Sequence, residues 1–133
     1  MPLPEDLYEG VFYVTQFTRG TALEKIVGVD RVRVEPWQCS QMHRHPIAET
    51  VIFIEHGSCI ISIDFEDHAV SAGNRVCIPK GVDHNVRTFE EELVFTSVQA
   101  PAIHDESTGR HDVENTEQDN NQKSRVDTLR SCF

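Results

Sequence analysis

The 133-residue chain has no apolar run that approaches the ~18 residues a membrane-spanning helix needs. Nor does any stretch carry a long apolar stripe at helical period. Basic residues are scarce: 12 Lys plus Arg stand against 22 Asp plus Glu, a formal net charge of −10. This balance argues against nucleic acid or an anionic membrane as the main partner, because both need a basic face. The opening residues, Met1-Pro2-Leu3-Pro4-Glu5-Asp6, lack the basic start and apolar stretch of a secretory signal, so a cytoplasmic location is expected. No two of the four cysteines (39, 59, 77 and 132) have C-x-x-C spacing, which removes a zinc knuckle and a thioredoxin-type redox motif. Cys59 and Cys77 sit in apolar stretches and are expected to pack as small hydrophobes. Apolar residues make up 38% of the chain, little for a protein folded end to end, and the shortfall is local.

From Val11 to Ala100 the pattern is short β-rich runs separated by turn residues. Val11–Phe17, Ile26–Val34, Thr50–Glu55, Cys59–Ile63, His68–Val70, Arg75–Ile78, Asn85–Thr88 and Leu93–Gln99 read as strands. The runs on either side of His56-Gly57-Ser58 read as a hairpin that turns at Gly57. Val51, Phe53 and Ile63 read as core or barrel lining. Many short strands with Gly or Pro turns predict a β-sandwich or barrel. From His104 on, seven acids and four bases accompany very few apolar residues, and Asn115–Gln122 contains none. Such a segment buries too little surface to offset its ordering entropy, so a disordered tail is expected over 104–133, with His104 and His111 in it. The domain reading is an arm with a strand over 1–24, a barrel over 25–103 and the tail.

The chemistry concentrates in two places. In His43-Arg44-His45 the imidazoles stand two residues apart, so on a strand they share a face. Glu49 follows after Pro46-Ile47-Ala48, a turn able to bring its carboxylate back to the same point. Further on, Gly73 to His84 reads G-x5-P-x-G-x2-H, in which Pro79 ends a strand without needing a ladder donor and His84 begins the next.

Together these segments resemble the two motifs of the cupin superfamily, G-x5-H-x-H-x3,4-E-x6-G and G-x5-P-x-G-x2-H-x3-N. The likeness covers about residues 25 to 100. Trp37 stands where the first motif begins with Gly, Gly57 falls one residue late, and Thr88 replaces the final Asn. The resemblance implies an all-β fold, a double-stranded β-helix or jelly-roll barrel, followed here by the tail. It implies His43, His45, Glu49 and His84 as ligands of a divalent transition metal: Fe, Mn, Ni, Co, Cu or Zn. It also implies open coordination positions for a small-molecule substrate. A dioxygenase-type enzyme on a small polar substrate is the leading expectation, in which Glu49 is able to leave the metal and act as a base. A sugar isomerase, epimerase or lyase is the rival, and a non-catalytic binding or sensing module a further one. Pairing of edge strands makes a homodimer the expected assembly. Gln41 shares parity with the two histidines, Arg44 is expected to face a surface carboxylate, and Arg75 and Arg87 to pair at the surface.

Overall fold

The computed structural model describes residues 2–105 and 108–116. Among them no helix is long and apolar enough to cross a membrane. The elements are β1 (Asp6–Tyr8), β2 (Phe12–Gln16), β3 (Gly28–Val34), β4 (His43–Arg44), β5 (Glu49–His56), β6 (Ser58–Ile63), β7 (Glu66–Ser71), β8 (Arg75–Ile78), β9 (His84–Thr88), β10 (Leu93–Ala100), β11 (His104–Asp105), β12 (Arg110–His111) and β13 (Glu114–Asn115). They form a six-stranded sheet, β1-β2-β3-β10-β5-β8, a five-stranded sheet, β13-β4-β9-β6-β7, and the short pair β11-β12. This is the expected all-β jelly-roll barrel. Residues 1–24 supply β1 and β2 to the larger sheet.

Period-two alternation decides what faces inward. On β3 the buried residues are Gly28, Asp30, Val32 and Val34, and on β10 they are Leu93, Phe95, Ser97 and Gln99. β5 alternates in the same way, burying Thr50, Ile52 and Ile54. The register aligns these series, with Leu93 opposite Val34, Phe95 opposite Val32 and Ser97 opposite Asp30. One end of the barrel interior is therefore aliphatic and the other polar. The aliphatic end joins Val34, Ile54, Ile61, Ile78 and Leu93 in one cluster. Burying each side chain of this kind contributes roughly 1.5–3 kcal/mol. The polar end of the same strands opens into a cavity.

Several expectations change here. β5 and β6 do not pair with each other: β5 lies between β10 and β8, and β6 between β9 and β7. The chain crosses from one sheet to the other at Gly57, whose φ is 82°. A Cβ there would come 2.3 Å from the carbonyl oxygen of Glu92, so the crossing is closed to other residues. Val51 and Phe53 are exposed on the outer face of β5, while Ile63 packs against the core. Cys59 is buried as expected, but Cys77 is exposed on β8. In the region read as tail, 104–105 and 108–116 form β11, β12, β13 and their turns against the barrel; residues 117–133 lie outside the described residues.

Two departures from the cupin pattern meet in one loop. Trp37 adopts φ 58°, the conformation for which glycine suits that position, and its ring packs edge-on against Phe89. The buried Thr88 hydroxyl donates to the Glu35 carbonyl at 2.6 Å and accepts from the Gln38 N–H at 3.0 Å. Thr88 thus braces the turn that Trp37 strains.

Candidate metal centre

His43 on β4 lies directly opposite His84 on β9, where facing side chains approach most closely. His45, two residues on, returns to the same face. The rings stand 4.2 Å (His43–His84), 4.9 Å (His45–His84) and 5.2 Å (His43–His45) apart between centroids. Each offers a nitrogen within 4.8 Å of the other two. All three side chains are buried, at 3%, 8% and 3% exposure for His43, His45 and His84.

Backbone carbonyls fix which nitrogen is available. His43 Nδ1 lies 2.8 Å from the Gln41 oxygen, His45 Nδ1 2.8 Å from the Asp112 oxygen, and His84 Nδ1 3.0 Å from the Val82 oxygen. A carbonyl only accepts, so each Nδ1 carries the proton and each Nε2 keeps its lone pair. Burial pushes the His45 pKa down to about 4, with the neighbouring His43 adding to the effect. Burial, then His43 and His45, hold His84 well below its ordinary range. Neutral imidazoles with oriented lone pairs are the form a metal ion requires.

Glu49 is not with them. It is exposed on the outer face of β5, on the parity of Val51 and Phe53, while Thr50 turns inward. This corrects the expected fourth ligand and removes Glu49 as a base at the centre. The cupin motif allows three or four residues between the second histidine and the carboxylate position. Counting four places Thr50 in that position and brings Gly57 into register, with six residues between them. The late glycine was thus the available signal that Thr50 fills the slot. Thr50 Oγ1 is buried without a hydrogen-bond partner among the described residues, as is Asn115 Oδ1. Both residues line the cavity with the three histidines. Three oriented imidazoles beside unsatisfied oxygens suit a metal ion with ligands still to be added.

The cavity measures about 390 Å³, within the range of small-molecule sites. Phe12, Ile52, Phe95 and Ile103 make apolar walls, and Asp30, Ser97 and Gln99 form a polar patch on the larger sheet. Burial pushes the Asp30 carboxyl up to about 6, against the opposing effect of its Gln99 hydrogen bond. Its signal in the sequence was an acid on the same parity as Val32 and Val34.

His104 and His111, assigned to the tail by sequence, face each other across β11 and β12 with Nδ1 atoms 3.0 Å apart, and both line the cavity. Tyr8 stacks on His104 at 4.3 Å. Burial, then His111 and His45, push the His104 pKa down to about 4. Asp112 ties this segment to the site. Besides its carbonyl bond to His45, its carboxylate accepts the Ile47 N–H at 3.1 Å and the Ala48 N–H at 2.8 Å. No local pattern announces such a long-range contact. The Gln41 side chain is exposed, and only its carbonyl serves the site. Arg44 pairs with Asp83 and Glu114, and Arg87 with Asp67.

No curated protein is a significant match to the sequence. Solved structures share the fold. The DMSP lyase DddQ from Ruegeria pomeroyi superposes with a TM-score of 0.72 at 15% identity, over 90% of this chain and 64% of that one. A sugar phosphate isomerase from Silicibacter pomeroyi gives 0.62 at 18%, over 75% and 70%. KdgF from Halomonas sp. gives 0.64 at 13%, over 74% and 86%. The family model described as "Cupin domain" matches residues 30–99, more than half of the sequence and the span that carries all three clustered histidines. With that match and the two-sheet barrel in agreement, the chain belongs to the cupin family.

Proposed function

We propose that the protein is a metal-dependent enzyme acting on a small polar substrate, with His43, His45 and His84 as the ligands of a divalent transition metal. The observation that carries this reading is the anchoring of all three Nδ1–H groups on backbone carbonyls, which leaves three Nε2 lone pairs in one cavity. When bound, such an ion supplies Lewis acidity toward a substrate oxygen and, if redox-active, a site for O2 chemistry. Three protein ligands leave positions open, which suits a dioxygenase-type reaction. Fe, Mn, Co, Ni, Cu and Zn all accept imidazole.

The chain's own residues do the rest. The carbonyls of Gln41, Val82 and Asp112 keep the imidazoles neutral and aimed. Phe12, Ile52 and Phe95 exclude water from the reacting end of the substrate. Asp30 favours a second reading, isomerase or lyase, because it is a buried carboxyl able to take a proton from substrate and return it near neutral pH. Turnover without oxygen selects that reading, and oxygen uptake selects the first.

The test is elemental analysis of protein purified without chelator. About one ion per chain is expected for the unaltered protein and for Glu49→Gln, and a large loss for His45→Ala. Full metal content in His45→Ala overturns the assignment.

A further inference from the structure

Asp30 stands on β3, in the sheet opposite the one that carries His43 and His84, and lines the same cavity. It is only 7% exposed. Its Oδ2 accepts the Gln99 Nε2–H at 2.9 Å. Gln99 is itself fixed, donating to Ser97 Oγ at 2.7 Å and accepting the Ile103 N–H at 3.5 Å. Among the described residues no donor reaches Asp30 Oδ1. Asp30 lines the cavity, so this unengaged oxygen is open to a donor from whatever occupies it.

The charge of the cavity points the same way. Its described lining contains two carboxylic acids, Asp30 and Glu9, and no Lys or Arg. Arg44 and Arg87 are engaged in ion pairs and do not line it. An anionic group at the wall opposite the histidines meets carboxylate and finds no counter-charge in a partly desolvated space.

We propose that the cavity takes a small molecule with a metal-chelating oxygen at one end and a hydroxyl or ammonium donor for Asp30 at the other, and that it rejects phosphate esters and dicarboxylates. The inference rests on His43, His45 and His84 being metal ligands, and it makes Asp30 the specificity-determining residue. It sets this cavity apart from one built for a sugar phosphate, which needs a cationic cradle at the far end.

Three hydroxamates that share one chelating group test it: β-alanine hydroxamate with an ammonium arm, 3-hydroxypropanohydroxamate with a hydroxyl arm, and succinic monohydroxamate with a carboxylate arm. Each is titrated at pH 8 into cobalt-loaded protein and followed by the visible cobalt absorption. The ammonium and hydroxyl arms are expected to bind at least about tenfold more tightly than the carboxylate arm, the size of one charge-assisted hydrogen bond set against one repulsion. In Asp30→Asn the preference should shrink to within about threefold, with cobalt content unchanged. Equal or tighter binding of the carboxylate arm to the unaltered protein overturns the proposal even if the variant does not fold, and so does a preference that survives in Asp30→Asn. Protein that takes up no cobalt overturns the metal assignment and this inference together, a result read before any hydroxamate is added.

Discussion

Burial holds the Asp30 carboxyl near 6, against an ordinary 3.8. The folded chain therefore keeps this proton more tightly than the unfolded chain does. The stability it brings is complete below pH 3.8 and is lost as pH rises through about 6, a difference of at most about 3 kcal/mol. Asp30→Asn keeps an oxygen for Gln99 and has nothing to ionise. In urea unfolding it should be more stable than the unaltered protein at pH 8, with the gap closing toward pH 4; a gap equal at both values contradicts the assignment. Residue-level legibility turned on parity. His43 and His45 were readable because a spacing of two on a strand brings them to one face, and His84 because its segment resembles the second cupin motif. On β5 the reading slipped by one residue, and the slip moved Glu49, Val51 and Phe53 inward together. Thr50, which carries neither charge nor a strong metal-binding group, drew no attention.

At the level of elements, the corner before β5 depends on a partner far away in sequence. The Asp112 carboxylate holds the N–H groups of Ile47 and Ala48, two and three residues after His45. Asp112→Ala leaves both donors unpaired at a site that is in part buried. A loss of roughly 2–4 kcal/mol in denaturant unfolding is expected, with metal affinity falling up to about tenfold because the segment that presents the Asp112 carbonyl to His45 loses its carboxylate anchor while the carbonyl itself remains. Unchanged unfolding and affinity would show that the corner holds itself. Strand positions were legible because alternation is local. Their pairing was less so, since Gly57 satisfies a hairpin turn and a sheet crossing equally well until the Glu92 carbonyl is seen beside it.

For the molecule as a whole, acid is the weak side. Burial holds His45 and His104 near pKa 4 and His84 well below its usual 6.5. The unfolded chain takes up these protons near pH 6.5, and the folded metal-free chain does so only near 4 or lower. Their contribution is full above pH 6.5 and lost as pH falls toward 4, up to about 3 kcal/mol for each of His45 and His104. Asp30 opposes this but is one group against three. Thermal unfolding of metal-free protein should show the melting temperature dropping steadily between pH 6.5 and 4, and a flat profile would contradict it. The barrel was readable as a class from its short strands and turns. The boundary of its last segment was not, because residues 104–105 and 108–116 are polar and are held by an aromatic stack, an ion pair and Asp112 rather than by an apolar face. That placement sets the timing of assembly on the ribosome. The chain emerges N-terminus first, so His43, His45 and His84 are all synthesised before the Asp112 carbonyl that orients His45 exists. The nascent barrel can gather its imidazoles early, yet the three side chains reach their finished arrangement only when synthesis has passed Asp112.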